Sequence, residues 1–334
     1  MTAAIRRLAP LGAPPWETPN PFLFCVHHVD RFPRGNGSLG PQASLAGRDI
    51  GQDFAGKDGW NLYHGENVPG FPQHPHRGFE TVTIVRRGLV DHSDSMGAAA
   101  RYGEGDVQWL TAGAGIQHAE MFPLVHEDRD NPLELFQLWL NLPAADKMAP
   151  PHFTMFWAPQ VPVISPAPGV SVTVVAGVLE GAMPPSPPPH SYASRAEADI
   201  AIWLLRLAPG GTWTMPGAHE GSNRILYPFD GRGLRIDGRE LPEHHLADVQ
   251  ASLPLRLEAG AAPIDCLLLQ GKPIAEPVAQ YGPFVMNTQA QLQQAFADYR
   301  RTQFGGWPWE RPDPVNGLEG RFARQPDGSV ERPR

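Results

Sequence analysis

The chain has 334 residues, 41% of them hydrophobic and only 19% charged, with a formal net charge of −8 when the histidines are neutral. That length suits one large domain or two of roughly 150 residues, and its 35 glycines and 38 prolines favour many short strands joined by turns over long helices. The basic residues occur as isolated pairs, Arg6-Arg7, Arg86-Arg87 and Arg300-Arg301, which excludes direct nucleic-acid binding and binding to an anionic membrane as expected functions.

Residues 1–20 read as an N-terminal arm. Arg6-Arg7 is followed by Pro10, Pro14, Pro15 and Trp16 instead of an apolar stretch, which argues against a secretory signal. No apolar run approaches the 18 residues a membrane helix needs. Cys25 and Cys266 are far apart, with no C-x-x-C, and are expected to be reduced core residues. The expected location is cytoplasmic.

From Phe22 the pattern becomes strand-like: Phe22–Val26, then Glu80–Val85 with its β-branched residues, then Val107–Leu110 after the turn signal Gly105-Asp106. Leu133–Leu142 is apolar on both faces and reads as a doubly buried strand. Together these predict an all-β sandwich or barrel over 21–160. A Pro-rich linker region is expected over 161–190, around Pro184-Pro185-Ser186-Pro187-Pro188-Pro189. A second strand series, Ile200–Leu207, Arg224–Tyr227, Gly233–Ile236 and Ile264–Gln270, predicts a like β domain over 191–287. Thr288-x-x-Gln291 is a capping box, and Leu292, Phe296 and Tyr299 repeat at helical spacing, which predicts a helix over 288–304. A tail with Trp307 and Trp309 over 305–334 is expected to lie on the surface as an extended strap.

The chemistry lies in two short motifs. In His74-Pro75-His76 the imidazoles are two residues apart, so a strand aims both to one side. His118-Ala119-Glu120 has the same spacing and follows a glycine turn at Gly113 and Gly115. Two antiparallel strands, each offering two inward ligands, make a three-nitrogen, one-oxygen set for a divalent first-row metal. Glu80, four residues after His76, is a rival carboxylate, and spacing does not choose between it and Glu120. The second domain has His190, His219, His244 and His245 but no H-x-H or H-x-E, so one metal per chain is expected. Asp91-His92-Ser93-Asp94-Ser95 reads as a turn, with His92 a candidate to stand behind the ligands. Phe71, in Val68–Pro72, is a candidate for an apolar pocket mouth. His27-His28 and Glu243-His244-His245 read as surface.

The stretches His74–Thr83, Gly105–Gly113 and Gly115–Glu120 resemble the pirins, as do Gly271–Pro277 and Gln280–Thr288 in the C-terminal half. The likeness runs over about residues 20–305. It departs at Ala114, where many pirins carry Arg or Ser, and at Cys25-Val26-His27-His28. The resemblance implies two cupin-like β-barrels, a bicupin, with a short C-terminal helix and a single metal, Fe(II), in the N-terminal barrel. It implies the ligands His74, His76, His118 and Glu120, and so favours Glu120 over Glu80. It also implies a quercetin 2,3-dioxygenase-like activity with a flavonol-like aromatic substrate and O2. Glu120 would then be the catalytic residue that takes the flavonol hydroxyl proton. The second activity it implies is that of a redox-sensing, iron-binding regulatory protein acting through a protein partner.

Overall fold

Residues such as Val170, Val172 and Val174 alternate with half-buried neighbours along the strand Val170–Ala176, as one face of a sheet on a core requires. This two-residue rhythm dominates the computed structural model, which describes residues 4–317 and 319–333. It contains one α-helix among the described residues, Gln289–Thr302. The chain divides into two compact units. The first comprises 1–26, 138–141 and 160–275; the second comprises 27–137, 142–159 and 276–334.

The first unit has a seven-stranded sheet ordered Ile5–Pro10, His245–Val249, Asn223–Gly231, Ile264–Gly271, Ala201–Leu207, Val170–Ala176 and Val163–Ala167. A four-stranded sheet contains Thr212–Met215, Leu255–Glu258, Arg235–Ile236 and Arg239–Glu240. Between them lies a core that includes Trp203, Trp213, Met215, Leu226, Leu257 and Leu268, each large side chain contributing roughly 1.5–3 kcal/mol by its burial. No cluster of metal-ligating side chains occurs in this unit among the described residues. Side chains fill its interior.

Two expectations need amending here. The supposed arm over 1–20 contains the strand Ile5–Pro10, which pairs antiparallel with His245–Val249; residues 1–3 lie outside the described residues. The linker region over 161–190 contributes two sheet strands, Val163–Ala167 and Val170–Ala176. His245, read as surface, is partly exposed in that strand, opposite Pro10.

In the second unit a six-stranded sheet runs in the order Val330–Glu331, Phe322–Arg324, Ala99–Gly103, Leu89–Asp94, Ile116–Met121 and Gly70–His76. A five-stranded sheet runs His152–Phe156, Val107–Thr111, Phe79–Arg87, Asn131–Asn141 and Phe22–Phe32; the unit boundary falls within the last two strands. Both sheets contribute to one core, with Val90, Ala100 and Ile116 from the first and Phe32, Leu110, Leu135 and Phe153 from the second. The helix carries the expected capping box: Thr288 Oγ1 accepts from Gln291 N, and Gln291 Oε1 accepts from Thr288 N. Beyond it the tail follows the six-stranded sheet. Gln73 N donates to Pro312 O, Trp309 Nε1 donates to Asp94 O, and Phe322–Arg324 pairs with Ala99–Gly103. Leu318 and Arg334 of the tail lie outside the described residues.

Candidate metal centre

His74 and His76 end the strand Gly70–His76, and His118 and Glu120 lie in its antiparallel neighbour Ile116–Met121. The register sets His74 directly opposite His118, so the two side chains leave the sheet side by side. Ring centroids are 4.4 Å apart for His74–His118, 4.8 Å for His74–His76 and 4.9 Å for His76–His118. One ligating atom from each of the three imidazoles lies within 4.8 Å of the others. They form the one cluster of this kind among the described residues.

Burial decides the protonation of these rings. It holds His118 well below its ordinary value, with His74, His76 and His92 pushing the same way. It also holds His76 well below, with His74 adding to it, and it lowers His74 against the pull of Glu120. Neutral imidazoles are the form that binds a metal. His74 Nδ1 hydrogen-bonds to Pro72 O at 2.8 Å, which leaves Nε2 as the ligating atom. Neither ring nitrogen of His118 has a hydrogen-bond partner although both are buried. A cation at the centre of the cluster would satisfy that orphaned polarity, so the residues present fit a divalent metal.

Glu120 stands at the edge of the cluster. Its Oε2 is 3.8 Å from His118 Nε2. Thr83 Oγ1 donates to its Oε1 at 3.2 Å, and Gln137 Nε2 donates to its Oε2 at 2.8 Å. Glu80 is placed differently. The chain turns at Arg77-Gly78 between the strands ending at His76 and beginning at Phe79, so His76 and Glu80 share no strand. Gly78 is at φ +84°, and a Cβ there would meet Val285 O at 1.9 Å, so only glycine makes this turn. Glu80 is three residues from Thr83 and therefore faces away from Glu120. It accepts instead from Thr111 Oγ1 at 2.7 Å.

His92 lies not in a turn, as expected, but in the strand Leu89–Asp94, directly opposite Glu120. Its ring is 5.5 Å from that of His118, and its Nε2 pairs with Asp94 Oδ2 at 3.2 Å. Phe71, the candidate for an apolar pocket mouth, is in the strand Gly70–His76, with its ring 6.5 Å from His74. Around Phe71 gather His28, Tyr63, His64 and Phe122, at centroid distances of 5.1–6.1 Å. Sequence reasoning missed His28, Tyr63, Thr83 and Gln137. The signal available for His28 was its parity with Asp30 and Phe32, which share its strand face.

Two sequence families describe the chain: Pirin over residues 49–140 and the Pirin C-terminal cupin domain over 202–305. A Pseudomonas aeruginosa protein named, provisionally, a quercetin 2,3-dioxygenase is 39% identical over 238 residues, covering 70% of this chain and 79% of its own. Human pirin is 33% identical over 250 residues, 73% of this chain and 80% of its own. The crystal structure of a quercetin 2,3-dioxygenase from Acinetobacter baumannii superposes with a TM-score of 0.69 at 28% identity, over 86% of this chain and 87% of that one. With both cupin halves matched, and with the H-x-H and H-x-E strands paired inside the matched N-terminal half, the chain belongs to the pirin family of two-cupin proteins.

Proposed function

We propose that the chain is a metal-dependent dioxygenase that cleaves flavonols such as quercetin with O2, using one Fe(II) held by His74, His76, His118 and Glu120. The observation that carries this reading is the convergence of three neutral imidazoles, His76 and His118 buried and His74 half-buried, beside a carboxylate and next to a group of aromatic side chains. The quercetin 2,3-dioxygenase names of the relatives support it. When bound, the ion would supply positive charge to the adjacent oxygens of a flavonol and an electron-exchanging centre for O2.

The remaining work falls to the chain. Hydrogen bonds from Thr83 and Gln137 fix the Glu120 carboxylate, so that it can accept the proton of the flavonol hydroxyl without reorienting. Phe71 offers a flat apolar face beside His74 for the aromatic body. Burial of His118 and Glu120 excludes the water that would compete for that proton.

The test is to incubate Fe(II)-loaded protein with quercetin in air, following loss of flavonol absorbance and release of carbon monoxide. The expected result is carbon monoxide in proportion to the quercetin consumed, abolished in His76→Ala. Equal loss with the His76→Ala protein would be autoxidation and would sink the enzymatic reading. The metal site would then be assigned to a redox-sensing regulator that acts through a protein partner.

A further inference from the structure

The strand Phe22–Phe32 brings His28 and Asp30 to one face, two residues apart. Both reach Tyr63. Tyr63 Oη donates to Asp30 Oδ2 at 2.6 Å and lies 2.8 Å from His28 Nδ1. Asn61 completes the support by donating to Asp30 Oδ1 from its backbone and its side chain, at 2.9 and 3.2 Å. Because the tyrosine proton is committed to Asp30, His28 Nδ1 must carry a hydrogen and donate it to Tyr63 Oη. The His28 Nε2 lone pair is then the acceptor this chain of bonds leaves over.

The His28 ring lies among Tyr63, Phe71 and Phe122, at centroid distances of 4.9, 5.9 and 6.5 Å. Yet the residue is only half-buried. Its imidazole is kept neutral, its pKa pushed down to about 4 by burial and by His27. Phe71 is the link to the metal centre, since its ring is also 6.5 Å from His74. A flat polycyclic molecule lying along Phe71 would span from the histidine cluster to His28.

From these contacts we infer that His28 is a specificity-determining residue: its Nε2 accepts a hydrogen bond from a hydroxyl of a polyphenolic substrate at the end remote from the metal. Tyr63 and Asp30 act as positioning residues that hold the ring in the accepting tautomer. The inference rests on the flavonol reading and adds what that reading lacks, a reason to prefer polyhydroxylated aromatics over bare ones. A satisfied structural histidine would use both nitrogens within the fold; here the bonds of one nitrogen prepare the other.

The experiment compares binding of quercetin with binding of 3-hydroxyflavone, which keeps the hydroxyl and carbonyl next to the reacting bond and lacks the remote hydroxyls. Binding is followed by tryptophan quenching on metal-loaded protein without O2, so that no turnover intervenes. In His28→Phe, which preserves a flat ring, the preference for quercetin should fall about three- to tenfold, the worth of one neutral hydrogen bond. Affinity for 3-hydroxyflavone should hold or rise. His28→Gln, which restores an acceptor, should recover part of the preference. Because the readout is a ratio of affinities, partial misfolding of a variant does not imitate it. An unchanged ratio in His28→Phe, or no recovery in His28→Gln, overturns the inference alone. Binding of neither flavone by the unaltered protein overturns the flavonol reading, and this one with it.

Discussion

Replacing Gly115 by alanine would test how the C-terminal segment is fitted to the histidine-bearing sheet. Gly115 is at φ +129°, and a Cβ built there lies 2.6–2.8 Å from three carbons of the Phe304 ring. The backbone term alone costs about 1–2 kcal/mol for a residue with a side chain. The contact cannot be relieved without moving Phe304, whose ring packs against Tyr299 and Phe284 at 5.1 and 5.7 Å and lies 4.5 Å beneath the Arg77 guanidinium. Displacing this half-buried ring forfeits roughly 2 kcal/mol, about half the cost of deleting a fully buried phenylalanine. Gly115→Ala should therefore cost about 3–4 kcal/mol and Phe304→Ala about 2. The double variant should cost no more than Gly115→Ala alone, because the ring is lost only once. Urea unfolding followed by circular dichroism gives all three values. If the two single costs simply add, to within about 0.5 kcal/mol as independent sites do, the clash is not what forbids a side chain at 115.

Two further outcomes follow from the site and its surroundings. Glu120→Gln should lower metal content by at least about tenfold, and Glu80→Gln by much less, as measured by elemental analysis after dialysis; the reverse order would reassign the oxygen ligand. Lys147 is buried, its Nζ donating to Gly78 O and Val285 O at 2.8 and 3.3 Å, and burial pushes its pKa down to about 8. Between pH 8 and the ordinary lysine value of about 10.4 the unfolded chain holds a proton that the folded chain has released. Stability should therefore climb over that window by up to about 3 kcal/mol. Lys147→Met should lack the climb in thermal melts, and an identical pH profile in both proteins would refute this.

The convergence of the three histidines was legible because strand parity is local. His74 with His76, and His118 with Glu120, each need only two residues of context to be placed on one face. The helix was legible for the same reason, its capping box lying within four residues. The pairing of Ile5–Pro10 with His245–Val249 was not, since nothing in a proline-rich start names a partner some 240 residues away. Spacing left Glu80 open as a rival because it does not reveal the turn at Gly78, where the approach of Val285 O takes Glu80 off the strand of His76. His28 was passed over as half of an adjacent pair that should diverge. The two rings do diverge: His27 stacks on Phe136 at 4.2 Å while His28 meets Tyr63. Divergence on a strand with two packed faces means two environments, not one solvated surface.

The order of synthesis gives the tail a temporal meaning. The first unit is complete once residue 275 has been made, whereas the histidine-bearing unit also draws on residues 276–334. Its sheet acquires the strand Phe322–Arg324, paired with Ala99–Gly103 from more than two hundred residues earlier, only after residue 324 has been made. Contacts of such long separation close slowly, and a nascent chain folds its earlier portions first. The histidine-bearing unit thus matures after the first unit, and a ribosome that stops at residue 275 releases a chain whose filled barrel is whole and whose histidine-bearing unit is not.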